Sequence, residues 1–167
     1  MCIIGIISGK KKFQNIEKIM KDDSNKNEFT LININSKSIS NFKNIKFDII
    51  VYLEEISDIR ESELKTICQN IKYLLINADL EVNNIFGNIE TNIITFGLNH
   101  LASVTFSSIS EEKILVSIQR SFKNMQKKDV EVGEYAITIN KENRLFLYEI
   151  LVFFTSLQIN YGKITKN

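Results

Sequence analysis

Five short runs rich in β-branched and aromatic residues recur through the first hundred positions: CIIGIIS (2–8), FTLININ (29–35), FDIIVYL (47–53), KYLLINAD (72–79) and TNIITFG (91–97). This feature constrains the fold most. Most of these runs are near-continuous in apolar character, without an apolar/polar alternation, which is the pattern of strands covered on both faces. Between them lie segments of helical character. Phe13, Ile16, Ile19 and Met20 recur at helical spacing between Lys11 and Lys21, and Leu64, Ile67 and Ile71 share one face after Ser62. A polar turn is expected over 22–27, a polar stretch over 36–46, and a short helix or turn through Val82 and Phe86. Strands alternating with amphipathic segments predict an α/β fold, a mostly parallel sheet with helices on both faces. Ligands of such sheets sit at the carboxyl ends of the strands. The polar tips to watch are therefore Ser8–Lys12, Glu54–Asp58, Asn77–Asp79 and Gly97–His100.

After residue 100 the pattern changes. LASVTFSSI, KILVSIQRSF and EYAITIN alternate apolar and polar residues, which predicts a small antiparallel β extension. RLFLYEILVFFTSLQI (144–159) is the most apolar long segment and predicts a buried helix that belongs to the core or packs on another subunit. No Gly/Ser linker, repeat or low-complexity tract divides the chain, so 1–167 is expected to be one domain. With 44% hydrophobic and 25% charged residues, the composition is that of a globular protein. A net charge of +1 argues against nucleic acid or an acidic membrane surface as partner. The apolar start lacks a basic n-region and reaches lysine at Lys10, and no stretch approaches the roughly 18 apolar residues of a membrane span. A cytoplasmic location is the expectation.

Two motifs near the start invite chemistry. Gly9-Lys10 lies between the first run and the first helical segment, where a phosphate loop would place its glycine and lysine. Lys11, however, occupies the position that needs a magnesium-binding hydroxyl, and Gly5 is too close to Gly9 for the usual spacing. The alternative is a strand–turn–helix corner with solvated lysines. Cys2 resembles by position the nucleophile of N-terminal-cysteine amidotransferases, but no oxyanion or substrate motif follows it. Within an apolar run it reads as a small buried hydrophobe.

The order of three stretches is more specific. "FDIIVYLEEISDIRE", "IKYLLINADLEVNNIF" and "NIITFGLNHLASVTFSSI" together resemble the central ATP-binding domain of the Mur ligases, whose strands end in Asn-Ala-Asp-Asp and Thr-Phe-Gly type motifs. Asn77-Ala78-Asp79 and Thr95-Phe96-Gly97 carry the match, the segment from Asn143 resembles the helix that closes the domain, and Gly9-Lys10 falls where the family loop belongs. The resemblance implies a P-loop-type fold, ATP as cofactor with Lys10 on its phosphates and Asn77 near its adenine, and formation of an acyl phosphate attacked by an amine. The chain departs from the pattern at the chemistry. Lys11 replaces the loop hydroxyl, Ile59 or Arg60 stands near the family's histidine position, and Leu80 replaces the second aspartate. The strand bearing the family's magnesium-binding Glu has no visible counterpart.

Site expectations follow. Gly9, Lys10, Asn77 and Asp79 are the candidate nucleotide-binding residues; for Asn77 and Asp79 the alternative is turn and capping chemistry. Glu54, Glu55 and Asp58 could ligate a metal, or form a solvated acidic loop. His100, the only histidine, reads as a surface turn residue. The expected function is that of a shortened, catalytically degenerate Mur ligase-like domain with a binding or regulatory role beside cell-wall metabolism. It would hold ATP weakly or not at all, without a secure magnesium site, and would act with a protein partner or a second copy. The alternative is an active ATP-dependent carboxylate–amine ligase or ATPase completed by another chain; the remote one is an N-terminal-cysteine amidohydrolase.

Overall fold

The computed structural model describes residues 1–22, 29–82, 85–111 and 113–161. The expected polar turn after the first helix therefore lies almost wholly outside the described residues. The helical elements are α1 (Lys10–Asp22), α2 (Glu61–Ile67) and α3 (Leu147–Tyr161). The strands are β1 (Cys2–Ile7), β2 (Phe29–Ile34), β3 (Ile49–Tyr52), β4 (Tyr73–Asn77), β5 (Asn92–Phe96), β6 (Val104–Ile109), β7 (Ile114–Ile118), β8 (Phe122–Lys123), β9 (Asp129–Val130) and β10 (Gly133–Ile137).

Among the described residues, eight strands form one sheet in the order β10-β7-β6-β5-β4-β3-β1-β2. Strands β1 to β6 pair in parallel, and β7 runs against both β6 and β10. The predicted antiparallel extension thus takes two forms: β7 and β10 prolong the main sheet, and β8 with β9 makes a separate two-stranded sheet. The segment through Val82 and Phe86 contains turns at 85–88 and no helix, with residues 83–84 outside the described set.

The continuous apolar runs find their reason in two cores, one on each face. Ile4, Ile6, Ile49, Val51, Tyr73 and Leu75 point to the face covered by α1 and α3. Ile7, Ile50, Tyr52 and Leu74 point to the face covered by α2 and the short 3₁₀ turn Ile39–Phe42. Successive residues of one strand serve opposite layers, so both positions must be apolar. Helix α3 is buried on all sides from Glu149 to Ile159, which is why its sequence is apolar all round. Gly5 is a packing residue: a Cβ there would lie 2.6 Å from Ile34 Cδ1 and 2.9 Å from the Phe47 ring. No helix among the described residues is long and apolar enough to cross a membrane.

The chain leaves β1 for β2 on one side and then returns to place β3 on the other. The strand order reverses at β1, so the crevice of this sheet opens between the loops that follow β1 and β3.

Candidate functional site

Helix α1 begins at that crevice with Lys10, Lys11 and Lys12, and its first turn has no acidic residue. Cations at a helix N-terminus meet the positive end of the dipole, so an anion there is strongly favoured. The chain supplies one of its own. Glu54, just beyond β3, accepts the Gly9 N–H through Oε1, and its Oε2 lies 2.9 Å from Lys12 Nζ. Gly9 O in turn accepts the first helical bond, from Phe13 N–H at 3.2 Å. Glu54 thus does from across the sheet what the glutamate of a capping box does from within a helix: it satisfies the N–H of the residue that opens the helix. Gly9 leaves room for this contact, because a Cβ would stand 2.7 Å from Glu54 Oε1 and displace the carboxylate.

The contact continues along the carboxyl edge. Lys12 Nζ also stands 5.7 Å from the centroid of the Tyr148 ring, in the first turn of α3. Burial, then the charge of Asp79 and a hydrogen bond to it, push the Tyr148 phenol above its ordinary range. Asp79 accepts N–H bonds from Leu98 at 2.6 Å and Asn99 at 3.1 Å, which tie down the loop after β5. Asn77 is buried, donates from Nδ2 to Leu53 O at 3.0 Å and accepts the Asp79 N–H at 3.0 Å. One connected set of contacts therefore joins the loops after β1, β3, β4 and β5 to the start of α3.

The structure brings Gly9, Asn77 and Asp79 to this edge, as the sequence indicates, but engages each with the protein itself. Lys10 and Lys11 are exposed, and Lys12 is the lysine drawn into the corner. Glu55 and Asp58 are exposed, and His100 is an exposed residue of the loop after β5. Cys2 lies at the amino end of β1, away from this edge; burial pushes its thiol up to about 12, and that of Cys68 likewise. Sequence reasoning missed the joint role of Glu54, Lys12 and Tyr148. A signal was available in the three lysines that open α1 without an acidic residue among them.

A nucleotide phosphate at a strand–turn–helix corner needs free backbone N–H groups and an unengaged lysine. Here the Gly9 N–H and the Lys12 ammonium are both spent on Glu54, and the carboxylate fills the space against Gly9. Glu54 thus occupies the side of the corner next to Gly9, while Lys10 and Lys11 stay exposed and form no ion pair with a described residue. Among the described residues, no group of three His, Cys, Asp or Glu side chains is placed to hold a metal ion.

No family model matches this chain, and no curated protein matches it. Among solved structures it is similar to the MurF ligase from Thermotoga maritima in complex with ADP, at 12% identity and a TM-score of 0.49. That likeness covers 99% of this chain and 46% of the ligase, so the chain spans less than half of that protein. The Francisella novicida lysine decarboxylase LdcF is similar over 60% of this chain and 15% of its own, at 13% identity and a TM-score of 0.38. At these identities neither likeness transfers a residue role.

Proposed function

We propose that this chain is a non-catalytic α/β binding or regulatory domain, related in fold to the ATP-binding domain of the Mur ligases, whose nucleotide corner is closed by its own carboxylate. One observation carries the reading: Glu54 takes both the Gly9 N–H and the Lys12 ammonium at the point where the strand order reverses. A phosphate would have to displace a charge-assisted contact before it gained one, so ATP is held weakly or not at all. In this reading the domain works in the cytoplasm beside cell-wall precursor synthesis, through a protein partner or a second copy.

Isothermal titration of ATP, with and without magnesium, tests it. The expected result is no saturable heat at about 1 mM ATP, the concentration at which a standard binding free energy near −4 kcal/mol becomes measurable. Magnesium-dependent binding in the wild-type chain, lost in Lys10→Ala or Lys12→Ala, would overturn the reading and favour the ATP-dependent ligase or ATPase.

A further inference from the structure

A second concavity opens on the opposite face of β3 from the Glu54 corner. It is a cavity of about 140 Å³ whose apolar wall includes Ile7, Ile56, Ile59, Leu64 and Ile85. Tyr52, Glu55, Ser57 and Glu61 complete it. Tyr52 ends β3, and its ring packs edge-on against Phe86 at 5.3 Å between centroids. The residue is only 5% exposed, yet its hydroxyl makes no hydrogen bond to any described residue. Glu55, the next carboxylate along, forms no hydrogen bond or ion pair with any described residue. Glu61 is partly neutralised by Lys65 at 2.5 Å.

The unspent groups are therefore all able to accept: a phenol oxygen, a serine oxygen and a carboxylate, above an aliphatic wall. An anion would be repelled by Glu55 and Glu61, and a planar or drug-sized ligand needs a pocket of about 300–1,000 Å³. A narrow aliphatic stem with a cationic head of several N–H donors satisfies wall, acceptors and charge together. We infer that this cavity binds a short primary alkylammonium group, with the carbon stem against Ile56, Ile59, Leu64 and Ile85 and the head between the Tyr52 hydroxyl and Glu55.

The test is an amide-resolved NMR titration of the ¹⁵N-labelled chain with butylammonium chloride, beside butan-1-ol and sodium butyrate. Saturable shifts confined to Glu55–Leu64 and Ile85 are expected with the ammonium alone. Tyr52→Phe keeps the ring against Phe86 and removes one oxygen, and Glu55→Gln removes one surface charge, so both variants should fold. Each is expected to weaken binding about tenfold, the loss of one hydrogen bond to a charged group. A parallel titration with Nα-acetyl-lysine methylamide separates two sources of the same chemistry: saturation there assigns a lysine presented by a protein, and saturation by butylammonium only assigns a free amine. Equal shifts from butan-1-ol, shifts that never saturate, or affinity unchanged in both variants would each overturn the inference.

Discussion

Glu54 Oε2 and Lys12 Nζ meet at 2.9 Å across the gap between the ends of β3 and β1, with Gly9 held on the same carboxylate. Both side chains are about a quarter to a third exposed, so the pair is neither a solvent-screened surface bridge nor a fully desolvated one. Replacing Glu54 by Ala should cost about 1–2 kcal/mol, because the Gly9 N–H and Lys12 lose a charged acceptor at the positive end of α1. Urea unfolding of Glu54→Ala, Lys12→Ala and the double variant measures this. The two losses should fall short of adding by more than about 0.5 kcal/mol; simple additivity would mean that the side chains do not act on each other.

Two glycines should respond to alanine to different degrees. At Gly5 the new Cβ meets the Ile34 side chain at 2.6 Å and the Phe47 ring at 2.9 Å, inside a core, and Gly5→Ala should destabilise by about 1–3 kcal/mol. At Gly9 it meets the end of a flexible glutamate side chain. Gly9→Ala should displace Glu54 at a smaller stability cost. Thermal melts of the two variants rank them, and a Gly9→Ala loss as large as that of Gly5→Ala would contradict the packing seen here.

Asn77 holds two loops with one side chain, through Leu53 O and the Asp79 N–H. It is 3% exposed, so truncation leaves buried groups without partners. Asn77→Ala is expected to cost about 2–3 kcal/mol, and Asn77→Asp, which buries a carboxylate against the Leu53 carbonyl oxygen, at least as much. Denaturant midpoints check the order.

At the amino edge, Asp48 accepts the Ile3 N–H at 3.0 Å and the Lys72 ammonium at 2.7 Å. Burial pushes the Asp48 carboxyl up, but the Lys72 and Ile3 hydrogen bonds together outweigh it, and the net position lies below its ordinary 3.8. The stabilisation is therefore present above the unfolded value and is lost as pH falls through the lower folded value. Lys72 moves the other way, raised first by its hydrogen bond to Asp48, so its share is present below its ordinary 10.5 and fades as pH rises through the folded value. Lys72→Met should move acid unfolding to higher pH. Circular dichroism between pH 2 and 5 (on the order of the unfolded carboxylate range) follows the shift, and an unchanged acid midpoint would remove Lys72 from the account. Lys72 is half exposed, so the effect on stability at neutral pH stays under about 1 kcal/mol.

Much of the architecture was legible because periodicity is a local property. The runs at 2–8, 29–35, 47–53, 72–79 and 91–97 each became a strand, and the segment expected as a buried helix over 144–159 became the helix Leu147–Tyr161, buried from Glu149 to Ile159. The corner chemistry was legible only in part. Gly9, Asn77 and Asp79 lie at the expected edge, yet Lys12 makes the pairing while Lys10 is exposed. One position along a helix start turns a side chain by about 100°, and no local pattern chooses between neighbouring lysines when all three are chemically alike.

The sequence by itself determined the alternation of strand and helix, the burial of both sheet faces and the apolar girth of α3, since each follows from the spacing of apolar residues along a few turns of chain. Only the tertiary structure decided that β1 lies between β2 and β3, and so that a glutamate 45 positions away closes the turn at Gly9. Strand order is a long-range choice made by the packing of helices on the two faces, and the electrostatics of the corner are inherited from it.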